Sequence, residues 1–283
     1  LITASAVGVL LVITLASGLT VYYRNVADAG LRYAIGAAPS PAGLNLQLMV
    51  TDRPLGLEDY QRVRRVVQES TQARLEQLAG EVHRVGTAPR FPFVGRSDQV
   101  PPRFGAPRAH LFFQSGFREN VRLVSGRWPQ QTLGSLDDEA LSIEAVVGSQ
   151  AARDIGWAEE TDLFLVPFAS SPQEKISVTV VGIVEPAVPT DPYWFLDHSR
   201  FRLAGPEGEP VVPLYIDETT FFTGIGARYP MLLGTYWWNY FLNVDSLSAA
   251  EAVRTQDSLE LLEADINRSF PRSLLISGLS RLI

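Results

Sequence analysis

The chain has 283 residues, 46% of them hydrophobic and 19% charged, with a net charge of −7. This length gives room for one large or two small folded domains around a real core, and the balance excludes wholesale disorder. The acidic balance, with Lys175 the only lysine, speaks against nucleic acid as a partner, because phosphate contacts need clustered positive charge. There is no cysteine, so a disulfide scaffold, a thiolate metal site and a cysteine nucleophile are all excluded.

Leu1 to Tyr23 carries no charged side chain. As a helix it would reach roughly 34 Å, enough for a hydrocarbon core of about 30 Å. Leu10 to Leu15 stand mid-span, and Tyr22 and Tyr23 sit where amphipathic rings favour an interface. The run is longer than a signal-peptide core and has no basic start. We therefore expect an N-terminal transmembrane helix with the lipid bilayer as a partner. The chain starts without methionine and reads as a piece of something longer.

Residues 24–38 continue this helix as a stalk until Pro39 and Pro41 stop it. Leu44, Leu46, Leu48 and Val50 alternate with polar residues, which predicts a half-buried strand. A helix over about 57–78 follows, with Tyr60, Val63, Val66, Val67, Leu75 and Leu78 as its apolar stripe. Arg62, Arg64 and Arg65 cluster on it, but glutamates flank them, so they read as a solvated face. Strands are predicted at 81–88 and 109–115, with 89–107 a proline-rich surface loop. From about Asn120 the texture changes to short strands and turns. A short helix over 150–155 stops at Gly156, and strands are expected at 163–168, 176–184 and 211–216. Residues 186–210 read as a second long loop. Tyr236 to Val244 is an aromatic strand. Ser248 with Glu251 three residues later is a capping box that opens a helix, with Val253, Leu259, Leu262 and Ile266 as its buried stripe. Pro271 stops it, and 274–276 is a candidate last strand.

The expected fold class is thus α+β. It has an N-terminal transmembrane helix and stalk (1–38), a split α/β platform (39–118 plus 236–283) and an inserted β-rich subdomain (119–235).

Groupings that could carry chemistry are few. Asp137, Asp138 and Glu139 are adjacent acids, but no calcium-loop pattern surrounds them, so they read as a solvated loop. Asp197-His198-Ser199 holds the residue types of a hydrolase triad, yet sequence neighbours cannot easily line up orienter, base and nucleophile. His83 and His110 complete a scattered set without zinc spacing. No phosphate-binding loop with its Gly-Lys-Ser/Thr ending is present. The expectation is no catalytic, metal or cofactor-binding residue and no cofactor. Tyr193, Trp194 and Phe195, in a loop among prolines and aspartates, are the candidate contact surface; packing into a core is the alternative. Of Trp237 and Trp238, adjacent on a strand, one must face each side.

The order of several short motifs carries a resemblance. Ser125-Gly126-Arg127-Trp128-Pro129 comes first. Ala145-Val146-Val147-Gly148-Ser149-Gln150-Ala151-Ala152 follows, leading to Ile155-Gly156. Val178-Thr179-Val180-Val181-Gly182-Ile183-Val184 comes last. This succession resembles the periplasmic core domain of MacB/FtsX-like permeases of ABC transporters, most sharply over 120–186. One departure is Glu159-Glu160-Thr161-Asp162, where that family has a glycine before the strand.

The resemblance implies a permease subunit in the cell (inner or plasma) membrane with its main domain extracytoplasmic. Its partners would be a cytoplasmic ABC ATPase subunit and a second copy or a paired permease. It would not itself be an enzyme, and would couple ATP hydrolysis in that partner to export, lipid or lipoprotein handling, or partner control. The alternative is a membrane-tethered extracytoplasmic sensor or binding domain of a signalling protein.

Overall fold

The computed structural model describes residues 2–37, 41–102, 105–132, 140–195, 197–205 and 209–279; within these, the side chains of 2–17, 20, 41–42 and 246 are not described. Asp137, Asp138 and Glu139 lie outside the described residues.

Helix α1 covers Ile2–Gly36. Among the described residues no helix is long and apolar enough to cross a membrane. This corrects the expected transmembrane helix over Leu1–Tyr23. The side chains of most of that apolar run are outside the described set. From Gly18 onward, Arg24, Asp28 and Arg32 recur at four-residue spacing and put charge along one face of the helix.

The remaining elements run in chain order. They are β1 (Leu46–Pro54), α2 (Leu57–Leu75), β2 (Ala79–Val94), β3 (Arg108–Gln114), α3 (Phe117–Asn120) and β4 (Val121–Gly126). Then come β5 (Leu141–Gly148), α4 (Ser149–Ile155), β6 (Thr161–Leu165), β7 (Ile176–Pro186) and β8 (Val211–Tyr215). Last are β9 (Leu233–Leu242), α5 (Ala249–Ser269) and β10 (Ser273–Ser277).

The two strand–helix–strand units of the sequence interleave. The sheet begins in the order β10-β1-β9-β2, with every one of these neighbours antiparallel. Each unit thus receives a strand of the other between or beside its own, the split β-α-β arrangement. Helices α2 and α5 lie together on one face, joined at their ends by Arg74 donating to Asp265 at 2.9 Å. Tyr60, Val63, Val67 and Leu75 of α2 meet Leu259, Leu262 and Ile266 of α5 in the main core, with Tyr236, Trp238 and Tyr240 from β9 beneath them. Val253, expected in the α5 stripe, is exposed, and Ala252 is buried in its place.

Past β2 the sheet closes on itself. β2 pairs with β3, β3 with β8, β8 with β5, β5 with β7, β7 with β6, and β6 returns to β2. The result is a closed six-stranded barrel, with β4 as an outer strand on β7. This replaces the expected split platform with a separate β-rich insert. β2 and β3 form the barrel wall together with strands from beyond residue 118. The shared strand is β2. Its first half pairs with β9, its last residues Phe93 and Val94 pair with β6, and its register shifts between Thr87 and Arg90. Pro89 falls inside that shift. A bulge is where a residue without an N–H can sit in a sheet, so the segment expected as loop from residue 89 continues as strand.

The barrel interior is filled by Leu111, Ile143, Ala145, Leu163, Val178, Val180 and Leu214, continuous with the core under the helices. A second core lies outside the barrel wall. It gathers Phe112, Phe117, Val146, Val184, Tyr193, Trp194, Phe201 and Tyr215. Strands β3, β5 and β8 therefore bury both faces over 111–113, 145–147 and 211–215, and there their sequences are apolar without a break.

Candidate functional site

The motifs that carry the resemblance converge on one corner of the barrel. Gly126 ends β4 with φ 79°. It stands opposite Gly182 of β7. A Cβ on Gly126 would lie 2.2 Å from the Val181 carbonyl oxygen, and one on Gly182 would lie 2.4 Å from the Arg127 carbonyl oxygen. The chains approach to a distance that side chains would forbid. Arg127 donates its backbone N–H to Val181 at 2.8 Å. Its guanidinium forks onto Glu144 of β5, with both contacts at 2.5 Å. Glu144 also accepts from the Gln130 N–H at 2.8 Å. The fork holds the Glu144 carboxyl below its ordinary pKa, the hydrogen bond from Arg127 being the main cause. The Gly-Arg turn thus ties β4, β7 and β5 into one unit.

The alanine pair serves the same corner. Ala151 and Ala152 are buried where α4 packs on β5 and β7. Gly156 closes α4 in the left-handed conformation, donating back to the Ala152 and Arg153 carbonyls. The departure at Glu159-Glu160 is resolved by the backbone. Glu160, immediately before β6, takes φ 58° itself, the conformation a glycine would take there without strain. Replacing Glu160 by glycine is expected to raise the unfolding free energy by about 0.5–1 kcal/mol. Urea denaturation checks it, and a lower midpoint would contradict the assignment.

The aromatic loop is built inward. Asp191 accepts from the Tyr193 N–H at 2.8 Å and starts a single 3₁₀ turn over Pro192–Trp194. Tyr193, Trp194 and Phe195 are 3%, 1% and 9% exposed, so all three rings lie in the interior. Trp194 stands edge-on to Phe201 at 5.1 Å and donates its indole N–H to the Val188 carbonyl at 3.0 Å. Tyr193 donates its hydroxyl to the Ser115 carbonyl at 2.9 Å, and burial raises its pKa. Of the two readings of this loop, these positions favour core packing. On β9, Trp238 is buried under the helices and Trp237 is half-buried on the opposite face.

Asp197, His198 and Ser199 form a local turn in which the Ser199 N–H donates to the Asp197 carboxylate at 2.9 Å. His83 stands edge-on to Tyr193 at 4.8 Å, 3.4 Å from Glu81. Among the described residues no group of three or more His, Asp or Glu side chains is placed to hold a metal ion.

The base of α1 is the other feature of functional interest. Asp28 accepts from the backbone N–H of Ala249, the first residue of α5, at 2.7 Å. Ser248 and Glu251 complete the capping box beside it. An acid there also complements the positive end of the α5 dipole. Leu31 is buried, and Ile35 packs against the main core. The end of α1 is thereby anchored to the helix layer. The sequence marks residues 24–38 as a stalk but not this anchor, because an aspartate is only a cap once its helix terminus is known.

Compared with known proteins, the chain matches no family model, and no curated protein matches it. Among solved structures it is similar to the periplasmic region of MacB from Actinobacillus actinomycetemcomitans. The identity is 13% over 84% of this chain and 90% of that one, with a TM-score of 0.36.

Proposed function

We propose that this chain is an extracytoplasmic domain of an ABC transporter permease of the MacB/FtsX-like kind. In this reading it is a mechanical element without catalysis of its own, and a separate ATPase subunit supplies the work. The observation that carries the proposal is the role of the motif residues. Gly126, Arg127, Glu144 and Gly182 lock three strands together, so the ordered motifs mark a rigid body rather than a reactive centre. The anchoring of α1 on α5 through Asp28 and Leu31 supports a route for motion into that body.

The test is a flexible Gly-Ser-Gly-Ser insertion after Ala34 in the intact transporter. It should leave ATP hydrolysis by the partner in place while transport is lost. Transport at the unmodified rate would refute mechanical coupling through α1.

A further inference from the structure

The sheet face opposite α2 and α5 holds a polar pocket that neither the barrel nor the helix layer uses. Leu46, Leu48, Tyr236 and Trp238 point into the main core, so Gln47, Trp237 and Asn239, which alternate with them, point to this other face. Thr87 of β2 and His110 of β3 continue the floor. The loop carrying Trp194 and Arg200 forms the roof. The cavity measures about 240 Å³. That is room for several waters or a small organic molecule.

Its lining contains polar atoms that have no hydrogen-bond partner among the described residues. Asn239 is 3% exposed, and its Oδ1 accepts no hydrogen bond from the described residues. The His110 Nδ1 is buried and equally unpartnered. Arg200 has a side chain only 13% exposed. Among the described residues its guanidinium donates to Gln114 Oε1 at 2.7 Å and lies over the Phe112 ring at 5.8 Å. Asp197, which lines the same pocket, forms an ion pair with it at 3.8 Å, longer than a hydrogen bond. Because that pair is not hydrogen-bonded, a second carboxylate can share the guanidinium at the closer range Asp197 does not occupy. Among the lining residues the charges of Arg200 and Asp197 balance, and Arg90 adds a positive charge nearby. His110 is held neutral, its pKa lowered to about 4 first by burial and then by the Arg200 and Arg90 charges, against the opposing pull of Asp197.

We propose that this pocket binds a small carboxylate bearing an O–H or N–H donor. Its carboxylate pairs with Arg200, and its donor group meets Asn239 Oδ1 and the His110 ring. Arginine suits a carboxylate because its planar fork can give two parallel hydrogen bonds. The donor is needed because Asn239 presents an acceptor. Trp194 and Trp237 supply aromatic walls around the polar centre, the usual make-up of a small-molecule site. The competing occupant is a set of ordered waters bridging the same atoms. The proposal does not rest on the permease reading, and either can fail alone.

The experiment titrates the ¹⁵N-labelled full chain with L-malate or L-serine and follows the Trp237 indole and Asn239 side-chain amide signals. Saturable shifts confined to the pocket are expected. Propionate, which lacks the donor, and glycerol, which lacks the carboxylate, should bind at least about tenfold more weakly, each loss corresponding to about 1.4 kcal/mol. Arg200→Gln should abolish the shifts. Because that variant loses the bond to Gln114 and can unfold, Asn239→Leu is the second probe: it should fold, yet weaken L-malate and L-serine by a similar tenfold factor. Absence of saturable shifts with either acid at tens of millimolar would overturn the proposal and leave a water-filled pocket. Equal response to glycerol, or undiminished binding by Asn239→Leu, would overturn it as well.

Discussion

Gly126→Ala is expected to destabilise the fold by about 2–5 kcal/mol. Left-handed backbone costs a residue with a Cβ roughly 1–2 kcal/mol, and forcing atoms into packed space adds about 1–3 kcal/mol. Both terms apply, because φ is 79° and the new Cβ would sit 2.2 Å from the Val181 carbonyl oxygen. Gly156 is the internal control. It also has positive φ, at 76°, but nothing lies within 4 Å of its would-be Cβ. Gly156→Ala should therefore cost only the backbone term of about 1 kcal/mol, and Gly156→Asn less still. Gly126→Asn should remain as damaging as alanine, since tolerance of the left-handed region does not relieve a clash with backbone. Equal losses at the two glycines in urea denaturation would contradict the close approach of β4 and β7.

Trp194→Ala should cost about 3–5 kcal/mol, the range for deleting a buried large aromatic side chain. The indole is 1% exposed and fills the second core between Phe117, Tyr193 and Phe201. Its loss also leaves the Val188 carbonyl without its indole donor. Thermal denaturation reads this directly. A variant with an unchanged melting temperature but impaired partner binding would return the loop to the role of contact surface.

Why one loop could be read two ways explains how far the sequence reaches. Tyr193-Trp194-Phe195 has no period, so periodicity cannot say which side of a surface it occupies. Burial came from β3, β5 and β8, whose second apolar faces needed cover, and those faces belong to residues far away in the chain. Local signals did better. Ser248 and Glu251 made the capping box, Gly156 stopped α4, and the Tyr60, Val63, Val67 and Leu75 stripe was buried as its spacing required. At α5 the stripe slipped by one position, because small Ala252 and large Val253 both fit an apolar pattern and only packing chose between them.

Closure of the barrel was not legible at all. It depends on β6 returning to β2 through two residue pairs and on β3 meeting β8 in parallel across about a hundred residues of chain. Neither leaves a mark in local composition. The motif corner was visible as an ordered set of short segments. The reason for it, the Gly126–Gly182 contact and the Arg127–Glu144 fork, appears only when three strands are brought together. The polar pocket was invisible for the same reason. Gln47, Thr87, His110, Arg200 and Asn239 come from five separate segments.

The central claim is that this domain serves an ATP-driven permease. The most direct measurement isolates the intact protein from its native cells after mild cross-linking and identifies its stoichiometric partners. The expected result is a separate subunit that carries a phosphate-binding loop and hydrolyses ATP, with hydrolysis retained in the purified complex. Isolation with no such subunit, or as part of a chain ending in a kinase-like or cyclase-like module, would contradict the claim and establish a sensor or binding domain instead.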